Sequence, residues 1–180
     1  ALGDGPFAYF PDEGWLDAVV YVGAMLMRAE MLGAEFRRGR VEDVLVEEGR
    51  VAGVLLADGG TIPADAVVNC AGARANTVLR EAALHLPLAP TRGLLAVTPP
   101  VATGLSRVLH TPGVNLRPDG AGRLMLHAEE TDEGLDEAGT PASGPAAALL
   151  MDRARRLLPA IGDAAAETVR IGVRPIPADG

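Results

Sequence analysis

A strand that ends in Ala-Gly can bring its backbone against a ligand, because glycine has no side chain to hold the ligand off. Ala71-Gly72 follows the apolar run Asp65-Ala-Val-Val-Asn-Cys70 in this way, which places a point of close approach at the carboxyl edge of a buried strand. A glycine that merely caps a strand-to-helix turn is the simpler alternative. A second cluster, Gly3-Asp-Gly5-Pro-Phe-Ala8, formally matches the dinucleotide fingerprint G-x-G-x-x-G/A. That fingerprint works only when a buried strand feeds the glycines and a helix aims its amino end at pyrophosphate. Here two residues precede Gly3 and Pro6 removes a donor, so the cluster is not read as a phosphate loop.

Other reactive side chains exclude more than they suggest. His127 and Glu129 stand at i and i+2, hence on one strand face, with His110 as a third candidate ligand. Two or three donors without a spacing signature do not predict a metal centre. The acidic run holding Glu129, Glu130, Asp132, Glu133, Asp136 and Glu137 reads as a solvated loop rather than as catalytic carboxylates. Ser106 and Ser143 are the two serines and neither lies in G-x-S-x-G, which disfavours a serine hydrolase. Cys70, the one cysteine, excludes an internal disulfide framework and reads as inert packing, with cytoplasmic residence expected. All 16 basic residues are arginine, so the phosphate-loop lysine, the Schiff-base lysine and Ser-Lys pairs are all absent. The formal charge of −8 with no basic block gives no footprint for nucleic acid or an anionic membrane.

The elements that must position these residues follow from periodicity. At 180 residues and 48% hydrophobic against 22% charged, the composition predicts a soluble globular protein of one domain or two small ones. The longest apolar run, Ala18 to Met27, is shorter than the roughly 20 residues of a membrane span. The amino terminus lacks the basic start of a secretory signal and reads as a chain entered midway. Asp17 caps a helix to Met31 or Leu32 with Gly33 beyond its end. Its two apolar faces predict cover on more than one side, with Met25, Met27, Met31, Trp15 and Tyr21 as packing residues. Short strands over Gly33 to Val41 and Val44 to Glu47 precede a meander that turns at Glu48-Gly49-Arg50 and Asp58-Gly59-Gly60. The strand at Asp65 to Cys70 leads to a short helix from Asn76 to Ala83. Past the Pro-rich link 86–90, strands are expected at Leu94 to Thr98, Ser106 to His110, Val114 to Leu116 and Arg123 to Ala128. A helix follows from Ser143 to Leu158 with Arg153, Arg155 and Arg156 outward, and then a strand from Glu167 to Val173.

In that order the sequence resembles the FAD-dependent amino-acid and amine oxidases typified by glycine oxidase, D-amino-acid oxidase and monomeric sarcosine oxidase. Val41 stands where the family ends a strand in a valine whose backbone meets adenine, and Ala64 to Gly72 resemble its A-D-x-V-V-x-x-A-G strand. Pro90-Thr-Arg92-Gly93 is similar to the P-x-R-G that leads into the substrate domain. Asn115 to Glu130 resemble the paired strands Y-x-x-P-x-x-x-G-x-L-x-x-G-x-T-x-E. Leu157-Leu158-Pro159 and Gly172-Val-Arg174-Pro-x-Pro-x-Asp179-Gly180 resemble L-L-P and G-x-R-P-x-x-x-D-G near the carboxyl end.

The resemblance implies a mixed fold, α/β plus α+β: a partial FAD/NAD(P)-binding (Rossmann-like) domain with a β-meander over residues 1–88, an antiparallel substrate domain with a flanking helix over 89–173, and a return to the cofactor domain at 174–180. It implies a central fragment of an oxidoreductase that oxidises the C–N bond of an amino acid or secondary amine by hydride transfer to FAD, since the family's opening G-x-G-x-x-G and closing Gly-rich segment are missing. Stable FAD binding belongs on this reading to the whole protein, and the stretch by itself is expected to be silent and to self-associate through an open sheet edge. Carried over residue by residue, Val41, Ala71, Gly72, Asp179 and Gly180 face the cofactor. Arg174 clamps the substrate carboxylate through its planar fork, and Asn115 stands where many relatives have a substrate-facing aromatic residue. His127 stands where many have glycine, and Arg92 is structural. Two rivals remain at this level: a flavin-dependent hydroxy-acid or glycerol-phosphate type dehydrogenase, and a non-catalytic α/β binding domain.

Overall fold

The computed structural model describes residues 10–89, 91–133, 135 and 143–179. The chain divides into two compact units, one made of 1–25 and 92–172, the other of 26–91 and 173–180. Helix α1 spans Ala18–Met31. Its amino end is held by Asp17, whose Oδ1 accepts the Val19 and Val20 amides at 2.9 and 3.1 Å. At its carboxyl end the amides of Gly33 and Ala34 donate to Glu30 and Ala29, the paired bonds of a Schellman motif. The cap residues are those expected, but the predicted cover is not found: no α1 residue is buried and Val19 is 84% exposed. Tyr21, Met25, Met27 and Met31 are exposed with it, and Trp15 is partly exposed. Periodicity identifies an apolar face but does not say which chain segment covers it.

In the second unit, β1 (Val41–Glu47), β2 (Arg50–Leu56) and β3 (Thr61–Pro63) form an antiparallel sheet in the order β1-β2-β3. The β1–β2 turn uses Glu48 and Gly49 at φ 49° and 77°, the left-handed pair that matches strand twist in a two-residue hairpin. One strand replaces the two expected between Gly33 and Glu47. Residues 34–40 enter no ladder, and β1 pairs with β2 from Val41↔Leu56 to Glu47↔Arg50 with register shifts on the way. At Gly53 the chain crosses β3 closely: a Cβ there would lie 2.2 Å from the Ile62 carbonyl oxygen.

The expected buried strand at Asp65 to Cys70 is also corrected. This segment enters no ladder, Val68 is 86% exposed and Cys70 is exposed. An apolar β-branched run becomes a strand only where neighbours supply hydrogen-bond partners, and none of the described residues does so here. The short helix begins earlier than expected and is of the 3₁₀ type, Gly72–Val78.

The first unit holds a five-stranded sheet with the order β5-β6-β7-β4-β8. Its strands are β4 (Thr91–Val97), β5 (Leu109–Thr111), β6 (Val114–Pro118), β7 (Leu124–His127) and β8 (Thr168–Arg174). Alternation fixes its two faces. Leu94, Ala96, Leu116 and Leu126 are buried with Leu150, Met151 and Ala154 of α2 (Ser143–Leu157) in one core. Asn115, Arg117 and His127 alternate with these core residues along their strands and stand on the other face. Arg153, expected outward, instead donates to the Gly113 carbonyl at 2.7 Å and pairs with Glu130. Arg155 likewise donates to the carbonyls of Gly162 and Ala164. A long arginine stem lies along apolar surface while its head reaches carbonyls that would otherwise lack donors.

Candidate functional site

The second unit contains a cleft of about 490 Å³ whose walls include Val41, Val44, Val54, Val67 and Ala71. Arg40 and Arg74 also line it. Two local devices shape it. Asp43, 5% exposed, accepts the Val44 and Glu81 amides on Oδ1 at 3.0 and 3.2 Å and meets Arg80 Nε at 3.4 Å, which ties β1 to the segment after the 3₁₀ helix. Asn69 bridges the other wall: its Oδ1 accepts the Ala71 amide at 3.1 Å and its Nδ2 donates to the Ala75 carbonyl at 3.0 Å. This Asx turn sets the path into Gly72, which has φ 57°. Sequence reasoning did not single out Asp43, although an aspartate inside the strand pattern Val-Glu-Asp-Val-Leu-Val was a signal for a buried, satisfied carboxylate.

Val41 and Ala71 therefore line one cleft, and Gly72 adjoins it. The carboxyl-terminal segment lies in the same unit. Ala89 donates to the Ile176 carbonyl at 2.8 Å, Ala178 donates to that of Pro87 at 2.7 Å, and the Pro175 ring lies 4.0 Å from where a Gly72 Cβ would stand. Arg174 ends β8 beside that proline, and Asp179 follows two residues after Pro177, which bridges Leu88. Gly180 lies outside the described residues, as do Pro90, Asp136, Glu137 and the Gly3 to Ala8 cluster. The apolar valine walls of the cleft form a surface suited to a flat heteroaromatic ring.

In the first unit Asn115 is half-buried on β6, opposite His110 on β5 and His127 on β7. His110 Nδ1 lies 3.3 Å from Asn115 Oδ1, and its Nε2 lies 2.7 Å from Glu13. His127 Nε2 lies 3.0 Å from Asp132 Oδ2, while Asp132 Oδ1 accepts the Leu94 amide at 2.7 Å. The sequence pattern predicts a solvated acidic loop around Asp132. A 3₁₀ turn at Glu129–Thr131 folds it back instead, a spacing of five residues that no strand or helix periodicity reveals. No group of three or more metal-ligating side chains occurs among the described residues. None of the described helices is long and apolar enough to cross a membrane. At the edge of this unit Arg123 binds Glu167 at 2.7 Å; that hydrogen bond, opposed by partial desolvation and aided by charge, holds the Glu167 carboxyl below its usual range.

Comparison with known proteins adds a family. The profile of the DAO family, described as FAD dependent oxidoreductase, matches residues 4–180. The bifunctional protein ThiO/ThiG of Synechocystis sp. is 33% identical over 173 residues, which cover 93% of this chain and 25% of that protein. A D-amino acid dehydrogenase of Paramagnetospirillum magneticum is 31% identical over 180 residues, covering 95% of this chain and 40% of that one. The chain thus spans well under half the length of these curated relatives. Among solved structures, iminodiacetate oxidase from Chelativorans sp. BNC1 superposes with a TM-score of 0.72 at 24% identity, over 89% of this chain and 43% of that one, a likeness of fold.

Proposed function

Because the chain belongs to the family of FAD dependent oxidoreductases, we propose that the whole protein oxidises the C–N bond of an amino acid or secondary amine by hydride transfer to flavin. The observation that carries this reading is the meeting, within one unit, of Val41 with Ala71 across a valine-walled cleft and of Gly72 with the Pro175 that follows Arg174. The similarity to a D-amino acid dehydrogenase supports the substrate class. On this reading Val41, Ala71, Gly72, Asp179 and Gly180 hold the cofactor, with the adenosine end in the cleft. Residues 1–88 and 174–180 then belong to a cofactor domain and 89–173 to a substrate domain, although the stretch before residue 26 clusters with 92–172.

Bound FAD supplies the hydride acceptor. Arg174 holds the substrate carboxylate through two parallel charge-assisted hydrogen bonds, which fixes the orientation of the carbon that loses hydride. Asn115 contributes a neutral polar contact where an aromatic residue would give an apolar one.

The test uses the full-length protein. It is expected to purify yellow, with a flavin spectrum that bleaches without oxygen on addition of glycine, sarcosine or D-alanine. Anaerobic bleaching reads the reductive half-reaction whatever the natural electron acceptor. A full-length protein that binds no flavin, or whose flavin is bleached by 2-hydroxy acids or glycerol phosphate and by no amine, overturns the proposal.

A further inference from the structure

The face of the five-stranded sheet turned away from α2 carries a polar row that core packing does not explain. In register, Asn115 stands between His110 and His127, and such cross-strand partners have Cβ atoms about 4.5–5.5 Å apart. Each end of the row is fixed by a carboxylate, Glu13 at His110 and Asp132 at His127. The two ends differ in exposure. The His110 side chain is 63% exposed, whereas those of His127 and Asp132 are 23% and 10% exposed. Asp132 is also anchored by the Leu94 amide, so its position does not depend on the histidine.

A carboxylate only accepts, so the hydrogen between His127 Nε2 and Asp132 belongs to the ring nitrogen. In the neutral imidazole Nδ1 then keeps its lone pair. That Nδ1 has no hydrogen-bond partner among the described residues. The other charged or titratable groups of this unit that alternation and register put on this face are Arg117, paired with Asp119 at 3.5 Å, the His110–Glu13 pair beyond Asn115, and Arg170, which alternates with the core-packed Ile171 on β8.

We infer that His127, oriented by Asp132, accepts a proton from the ammonium group of the substrate, beside the polar contact made by Asn115; this rests on the C–N oxidation proposed above. An ammonium nitrogen has no lone pair, yet loss of hydride from the adjacent carbon leaves a positive charge that the nitrogen lone pair must stabilise. The proton must therefore leave before or with the hydride. The substrate N–H bond breaks, its electron pair stays on nitrogen, and a new N–H bond forms at His127 Nδ1. Nothing is oxidised or reduced in this step. The imidazolium that results is stabilised by Asp132, which acts as a positioning residue by fixing the tautomer.

The experiment uses the full-length flavoprotein labelled with ¹⁵N in its imidazole rings, the His127 signals being assigned with His127→Gln. In the neutral ring the hydrogen is expected on Nε2, and the Nδ1 resonance is expected to move when sarcosine is added to the dithionite-reduced protein, which binds it without oxidising it. In rapid-mixing bleaching with saturating sarcosine, His127→Gln is expected to lower the rate by about 100-fold or more, the usual cost of removing a general base. Asp132→Asn is expected to lower it about tenfold, with little change in the half-saturating concentration. A hydrogen found on Nδ1, or both variants bleaching at the wild-type rate, overturns the inference while leaving the functional reading intact. A wild-type flavin that no amine bleaches overturns the functional reading and this inference with it. If His127→Gln fails to fold, the wild-type tautomer and its response to sarcosine decide.

Discussion

Asp43 is the side chain on which the cleft wall depends most, and its removal has a calculable cost. Its carboxylate is 5% exposed as a residue and accepts two backbone amides, Val44 at 3.0 Å and Glu81 at 3.2 Å. Hydrogen bonds to a charged acceptor contribute about 1.5–3 kcal/mol each. The Val44 bond joins neighbours in sequence and holds no distant segment, so the Glu81 bond, 38 residues away, dominates. The Arg80 contact at 3.4 Å comes from a side chain 70% exposed and adds about 0–1 kcal/mol at most. Asp43→Ala is therefore expected to destabilise the full-length protein by about 3 kcal/mol in urea unfolding, with no change in m-value. Asp43→Asn keeps a carbonyl oxygen for the Glu81 amide and loses only the charge assistance, so about 1 kcal/mol is expected. Because Val41 and Val44 flank Asp43 and both line the cleft, Asp43→Ala should also weaken FAD binding, read by flavin fluorescence. Unfolding midpoints for Asp43→Ala that correspond to less than about 0.5 kcal/mol would refute the reasoning. Equal losses for the two variants would show that charge, and not acceptor geometry, holds the segment.

Two further outcomes are expected. Gly53→Ala would put a Cβ 2.2 Å from the Ile62 carbonyl oxygen at a backbone φ of 150°, so strain and displacement of β3 together should cost about 2–5 kcal/mol; a near-neutral thermal unfolding midpoint would contradict the close crossing. Glu167 is held below its usual carboxylate range first by the hydrogen bond from Arg123. Its contribution is thus present above the unfolded-state pKa of about 4.3 and lost as pH falls through the lower folded value. Glu167→Gln should lower the melting temperature at about pH 7, with the gap from wild type closing toward about pH 3; a gap that widens in acid would contradict the assignment.

The caps, turns and packed core were legible because each is written locally. Asp17, Gly33 and the Glu48-Gly49 turn act within a few residues of themselves, and Leu94, Leu116, Leu126 and Leu150 follow the periods of strand and helix. The corrections fall where a residue's state depends on a distant partner. Val67 and Val68 have the composition of a central strand, but a strand exists only through its neighbours, and the described residues offer none. Cys70, read as packing, is exposed for the same reason. Among the proposed site residues, Val41 and Ala71 are brought to one cleft by the β1–β2 hairpin and the Asn69 turn, a convergence over thirty positions of sequence that the motif order implied and no spacing rule produced. Asp132 was missed because the turn that returns it to His127 is irregular.

This division between local and distant information bears on where chemistry can be read. The positions proposed to face the cofactor are mostly valine, alanine and glycine, whose side chains carry little chemical signal, so resemblance must supply their role. The sheet face in the other unit is the opposite case. His110, Asn115 and His127 are chemically conspicuous, yet in sequence they look like scattered polar residues in a strand pattern, and the i, i+2 spacing of His127 and Glu129, which predicts no metal centre, does not reveal the carboxylate that His127 meets. Strand register replaces Glu129 with Asp132 and aligns the two histidines around the asparagine. A donor set that fails as a metal centre for want of ligands becomes a directed pair, one carboxylate fixing one imidazole. Its Nδ1 accepts no hydrogen bond from the described residues, which leaves it open to water or to a ligand that supplies a hydrogen.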